Sequence, residues 1–167
     1  MSIRLMIKYT TLSLLPVIAI AGLIIGIEII GGQPMGLFSG SRPDALGFND
    51  GKFKPPSWKP NTVSSTVEKS DIKHFVEPLR FEGDAKSAWN KLFTIVKAQP
   101  RVTVVIEKPD YLYAEFKTAN LGFIDDVEFA LDEKASVIHV HSASRLGVRD
   151  FDVNRNRIES IRTAFGK

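Results

Sequence analysis

Apolar positions along this chain follow three different rules in succession. Up to residue 30 they are nearly continuous. From Gly31 to about Pro60 they are isolated aromatics and leucines scattered among glycines and prolines. Beyond residue 73 they recur at strand or helix spacing. Each rule predicts a different material, so the chain divides into residues 1–32, an arm over 33–72 and a folded domain over 73–167.

In the periodic part, residues 74–82 predict a first strand, with Pro78 placing it at a sheet edge or bulge. Asp84 is a suitable N-cap for a helix running to Ala98, where Gln99-Pro100 stops it. Ala85, Ala88, Trp89, Leu92, Phe93 and Val96 make one face of that helix, which assigns Trp89 to the core rather than to a stacked cofactor. Val102, Val104 and Ile106 alternate on one side of a strand over residues 101–107. Lys108-Pro109-Asp110 turns the chain into a strand over 111–118, with Leu112, Ala114 and Phe116 inward. A fourth strand over 123–131 and a turn at residues 132–135 lead to a fifth over 136–144. Asp152 is the expected N-cap of a last helix whose buried stripe is Ile158, Ile161 and Phe165. The order β-α-β-β-β-β-α with short turns implies an α+β domain: an antiparallel sheet with two helices on its one apolar face.

Residues 10–27 carry no charge, and Arg4 and Lys8 flank them on the N-terminal side only. About 18–20 apolar residues are what a tilted helix needs to cross a bilayer. The expectation is a single-pass transmembrane anchor over residues 1–32, N-terminus in the cytoplasm, with the remainder facing the periplasm of a bacterial inner membrane. A cleaved signal peptide ending at Ala19-Ile20-Ala21 is the rival reading, opposed by the apolar run through Leu23, Ile24, Ile25 and Ile27. A buried core helix is a third. In the arm, recurring Gly and Pro exclude long helices and central strands. Phe38, Phe48, Phe53 and Trp58 are nevertheless poor choices for a free tether, and are candidate contacts with the domain or a partner. Residues 61–66 are polar and turn-prone, a lead-in rather than a core element.

Composition narrows the functional classes. Hydrophobics at 44% and charged residues at 25% exclude wholesale disorder. The net charge of +3 comes from 22 basic and 19 acidic residues well mixed along the chain, so no nucleic-acid footprint is expected. Cysteine is absent, which removes disulfides, thiolate catalysis and Cys-ligated metals.

Candidate chemistry concentrates in two places. On the fourth strand, Asp125 shares a side with Val127, Phe129 and Leu131, while Asp126 and Glu128 point the other way. A carboxylate among core residues needs a partner, and Arg145 and Arg149 are the obvious ones, with guanidinium geometry suited to a bidentate pair. Residues 142–159 add Arg155, Arg157, Asp150 and Glu159 to this ion-pair cluster, with Ser142, Ser144 and Asn154 as hydrogen-bonding companions. A structural lock is the favoured reading. Acid-base work or anion recognition by Asp126, Glu128, Ser142, Ser144 and Asn154 is the sharper alternative. His139 and His141 share one face of a strand, a spacing metals use, but a third ligand at recognisable spacing is missing, so both are expected to face solvent or a loop. They lie on the side opposite Ser142 and Ser144, which leaves those hydroxyls without a base. No catalytic residue, metal or cofactor is therefore assigned.

The motifs Asn61-x-Val63-Ser64-Ser65, Gly122-Phe123-x-Asp125-Asp126-x-Glu128-Phe129 and Ser142-x-Ser144-Arg145-x-Gly147-x-x-Asp150-x-x-Val153-Asn154-Arg155-x-Arg157-x-Glu159 resemble those of the domain of unknown function 1499 (DUF1499) family, over roughly residues 46–165. The resemblance implies a widespread bacterial and plastid family and brings no catalytic residues to transfer. Family members often carry cysteines flanking the first motif. Pro56 and Thr62 stand near those places here, so no clamp or metal role carries over. The element order also resembles a reduced helix-grip (START-like) domain, with a curved sheet around a C-terminal helix and an apolar cavity. Three functions are expected in this order: a non-catalytic accessory or assembly subunit of an integral membrane complex, touching the lipid bilayer through its anchor; a binding module for a small apolar or lipid-like ligand held between sheet and final helix; and an enzyme using Asp125, Asp126 and Glu128.

Overall fold

Short turns between successive apolar strands favour antiparallel pairing of neighbours. The computed structural model, which describes residues 38–119 and 121–167, has that arrangement. The elements are β1 (Thr62–Ser64), β2 (Leu79–Arg80), α1 (Ala85–Lys97), β3 (Val102–Glu107), β4 (Tyr111–Lys117), β5 (Ile124–Asp132), β6 (Val137–Ser144) and α2 (Val153–Phe165). They make an α+β fold with the sheet order β1-β6-β5-β4-β3, all pairs antiparallel, and β2 beside β1 on the same edge of β6. The anchor expected over residues 1–32 and the start of the arm lie outside the described residues. Among the described residues no helix is long and apolar enough to cross a membrane.

Both helices lie on one face. Helix α1 buries Ala88, Trp89, Leu92 and Val96, and α2 buries Ile158, Ile161 and Phe165, against Leu112, Ala114, Phe116, Val127, Phe129, Ile138 and Val140. Trp89 belongs to this core, its indole N–H donating to the Lys108 carbonyl at 3.1 Å. Asp84 caps α1 as the sequence predicts, accepting the Ser87 amide at 2.7 Å. Asp152 occupies the N-cap position of α2, but its side chain makes no capping hydrogen bond. It takes a left-handed backbone conformation, and the Asp150 carboxylate accepts the Asn154 amide instead, at 2.9 Å. Asp150 also accepts from the buried Asn154 side chain, at 2.8 Å.

Three expectations about the sheet need correction. First, the predicted opening strand over 74–82 shrinks to β2, and the lead-in at residues 61–66 supplies a strand instead. Most of the β6 edge would otherwise be bare, and β1 pairs with Ser142, Ala143 and His141 there. A polar segment can serve because its side chains are satisfied: Ser65 accepts the Val140 amide at 2.9 Å, and Asn61 donates to the Ser144 and Gly147 carbonyls. Second, a bulge between Val104 and Ile106 breaks the β3 alternation. Val102 and Val104 pack with the helices, whereas Val105 and Ile106 turn to the other side.

Third, that other side is apolar and covered. The arm crosses it, burying Phe53 and packing Leu46 and Phe48 against Tyr111, Tyr113 and Ala130. Phe48 stacks on His139, and Phe53 meets His141 edge-on. Gly40, at φ +63°, lets the arm approach the sheet end, since a Cβ there would stand 3.0 Å from the Arg145 Cβ. The arm is thus a covering layer over the second face rather than a tether.

Phe53→Ala should therefore cost about 3–5 kcal/mol, as for a core phenylalanine. Urea unfolding with an unchanged slope would measure it. A loss no larger than that of an exposed substitution would show that the arm contributes no core.

Candidate functional site: two polar networks on opposite faces of one strand

Adjacent residues of a strand point to opposite faces, and β5 uses this to send two neighbouring carboxylates to two different arginines. On the helix face, Asp125 accepts a hydrogen bond from the Arg157 guanidinium at 2.5 Å. Arg157 also donates to Asn154 Oδ1 at 2.6 Å and Ser142 Oγ at 3.0 Å, and lies over the Phe116 ring. Asn154, fully buried, donates to Ser144 Oγ, to the Asn61 carbonyl and to Asp150. One network therefore ties β1, β5, β6 and α2 together through polar atoms that all have partners.

The second network lies under the arm. Arg145 donates to both oxygens of Asp126, with a shortest distance of 2.7 Å, to Glu115 at 2.5 Å and to the Tyr113 hydroxyl at 3.0 Å. Arg42 from the arm reaches the same Glu115 at 2.6 Å. Tyr113 donates to Asp126 at 2.6 Å, and Tyr111 to Glu128 at 2.5 Å. The Gly47 amide also donates to Glu128, at 2.6 Å, from a backbone at φ +125° that favours glycine. Asp126 and Glu128 are each only 2% exposed.

The charges respond to these surroundings in opposite directions. Burial is the largest influence on Glu115 and pushes its pKa up, but the hydrogen bonds from Arg145 and Arg42 outweigh it and hold the carboxyl below its ordinary range. Glu128 has no arginine, so burial dominates and raises it despite the donors on Tyr111 and Gly47. Burial also raises both tyrosine hydroxyls, and their carboxylate partners raise them further, so Tyr111 and Tyr113 act as fixed donors. His141 is pushed down to about 4, by burial first and then by the charge of Lys54. Its Nδ1 has no hydrogen-bond partner.

The predicted site residues thus separate. Asp125 pairs with Arg157, not with Arg145 or Arg149: Arg145 turns to the opposite face, and Arg149 is exposed and makes none of the ion pairs among the described residues. Arg155 donates to the carbonyls of Phe75, Ile72 and Lys73, stapling α2 to the segment before β2. Glu159 pairs at the surface with Arg162, which binds the Glu77 and Pro78 carbonyls in the same way. Ser142, Ser144 and Asn154 belong to the Asp125 network, Asp126 and Glu128 to the other. His139 and His141 face the arm rather than solvent, because the arm covers their side of the sheet. Of the four arm aromatics, Phe53 is buried within the chain, Phe48 packs beside it and Phe38 stacks on Phe123. Trp58 alone of the four stands open, at 71% exposure.

Sequence reasoning missed Glu115, Tyr111 and Tyr113, although period-two alternation puts all three on the side of Asp126 and Glu128. Arg42 and Gly47 had no local signal. Between arm and sheet lies a cavity of about 160 Å³, whose walls include Leu46, Lys54, Thr62, Asp126, Glu128 and His141. Among the described residues no group of three His, Asp or Glu side chains is placed to hold a metal ion. The Ser142 hydroxyl is committed to Asn154 and Arg157, with no histidine as base.

Two outcomes follow. Asp125→Ala strands a buried guanidinium and should cost roughly 3–5 kcal/mol, whereas Arg149→Ala should stay within about 0.5 kcal/mol of wild type; thermal and urea unfolding separate them. His141, with a folded pKa of about 4 against its ordinary 6.5, stabilises the fold above pH 6.5 and loses that contribution as pH falls towards 4. The full effect is about 3 kcal/mol. His141→Gln should remove that part of the decline between pH 7 and pH 4, and an identical decline in both proteins would place the proton uptake elsewhere.

No curated protein and no solved structure matches this chain. Residues 52–165 match the family model described as "Protein of unknown function (DUF1499)". The matched span begins inside the arm, ends on the last buried residue of α2 and includes Asp125, Asp126, Arg145, Asn154 and Arg157. With most of its length matched, the chain belongs to the DUF1499 family.

Proposed function

We propose that this protein is a non-catalytic, membrane-anchored domain on the periplasmic side of a bacterial inner membrane, serving as an accessory or assembly subunit of a larger membrane complex. The observation that carries the reading is the mutual neutralisation on β4 and β5. Asp125, Asp126 and Glu115 are each bound by an arginine, and the serines and asparagine beside them are hydrogen-bonded to one another. Groups so committed hold elements together and are poorly placed to turn over a substrate. The uncharged run over residues 10–27 supports the anchor.

A second reading, a binding module for a small apolar ligand, draws on the cavity under the arm. The space expected for such a ligand, between sheet and final helix, is occupied by Ile158, Ile161 and Phe165. That packing speaks against a helix-grip carrier. Glu128, with a raised pKa, and His141, with an unpartnered Nδ1, line the arm-side cavity and are the groups an enzyme reading could still use among the described residues.

Extraction of native membranes in mild detergent, followed by native electrophoresis and mass spectrometry of what accompanies the tagged chain, tests the reading. The expected result is a high-mass assembly with reproducible integral membrane partners. A monomer carrying an extractable apolar small molecule would support the second reading, and a monomer carrying nothing would overturn the first.

A further inference from the structure

One end of the sheet differs from the rest of the surface. It is formed by the start of β1, the end of β6, the start of β5 and the end of β4, as their pairing registers require. Large apolar side chains stand open there: Leu121 in the β4–β5 connection, Leu146, Val148 and Phe151 between β6 and α2, and Trp58 in the arm. Trp58, Val148 and Phe151 line a shared groove with Lys73, Arg149 and Asp152. Asp150 also borders it, but its carboxylate is turned inward to Asn154. Scattered exposed apolar residues need no explanation, but a cluster at one end does.

Phe151 is the most telling member. It is 88% exposed, and both it and Asp152 adopt left-handed backbone conformations, at φ +54° and +63°. Two consecutive non-glycine residues in that region are costly. No contact within the chain uses this phenylalanine enough to explain the strain, since nearly all of its ring faces outward. The turn holds the ring out.

The chain enters the domain at this same end. Phe38 stacks on Phe123 just before β5, and Gly40 lies against Arg145 and Leu146 just after β6. The expected anchor ends at residue 32, and the six residue steps from there to Phe38 can span at most about 20 Å. The nine residues of β5 run about 30 Å to the opposite end of the sheet. A connection that short favours the Phe38 end as the end nearer the bilayer.

We infer that this end, with Trp58, Leu121, Leu146, Val148 and Phe151 as its apolar surface and Lys73 and Arg149, beside Asp152, as cations at its rim, rests on the outer interface of the bilayer that holds the anchor. Tryptophan and phenylalanine beside lysine and arginine are the composition of interfacial contacts: rings enter the boundary between headgroups and acyl chains, and cations meet lipid phosphates. The inference rests on the anchored reading above and adds to it the lipid surface as the partner of this face, leaving the helix-covered sides for protein partners.

The absence of cysteine gives a direct test in the full-length chain. Leu121→Cys, Val148→Cys and Phe151→Cys, made singly so that no one change removes the whole surface, would each be spin-labelled in lipid nanodiscs containing anionic lipid. Lys134→Cys in the β5–β6 turn is the control. Paramagnetic relaxation by oxygen relative to a water-soluble nickel chelate should be several-fold higher at 121, 148 and 151 than at 134. A chain that fails to incorporate would overturn the anchored reading and this inference together. Incorporation with the four labels equally open to the chelate would overturn only the inference. Spin–spin broadening would assign the surface to a second copy, and labels immobilised only in native membranes would assign it to a protein, each against the bilayer.

Discussion

The fold depends on placing two carboxylates side by side on one strand and giving each its own arginine on its own side of the sheet. Asp125 and Asp126 cannot share a partner, because the backbone sends them in opposite directions. Arg157 on α2 meets the first, and Arg145 at the end of β6 meets the second. Removing either arginine would leave a buried carboxylate without its counter-ion, a far larger penalty than any gain from the intact pair. This strand can stay buried on both faces only while both arginines are in place.

From that constraint the layers follow. Arg157 anchors α2 over the helix-side face through Ser142 and Asn154, and Arg155 and Arg162 staple the same helix to the backbone carbonyls of residues 72–78. On the other side, Arg145 and Arg42 converge on Glu115, so the arm is held by charge as well as by Phe53. A sheet that would otherwise present Tyr111, Tyr113, Asp126 and Glu128 to water is instead closed over. The arm therefore acts as a third layer.

That closure separates the functional possibilities by location. The polar groups that invite a catalytic interpretation sit inside satisfied networks. Several exposed large apolar side chains lie outside, near where the chain enters the domain. Between the two stands the small arm-side cavity, with His141 kept neutral and Glu128 drawn towards its protonated form.

Much of this was legible in the residues. Helical spacing gave α1 its face and Trp89 its place, and Asp84 its role as cap. Strand alternation put Asp125 with the core and Asp126 and Glu128 opposite it, and the absence of cysteine removed whole classes of chemistry. Local periodicity can do this because it depends only on neighbours along the chain. It could not choose among four arginines within reach of those carboxylates, since long side chains on distant elements meet according to register and helix placement. Nor could it show that a Gly- and Pro-rich arm covers a sheet face, that Asn61-to-Ser65 closes the β6 edge, or that the Asp150 carboxylate rather than that of Asp152 accepts from the first turn of α2. Those were decided by the tertiary structure, in which each buried polar group had to find its partner from parts of the chain up to about ninety residues away.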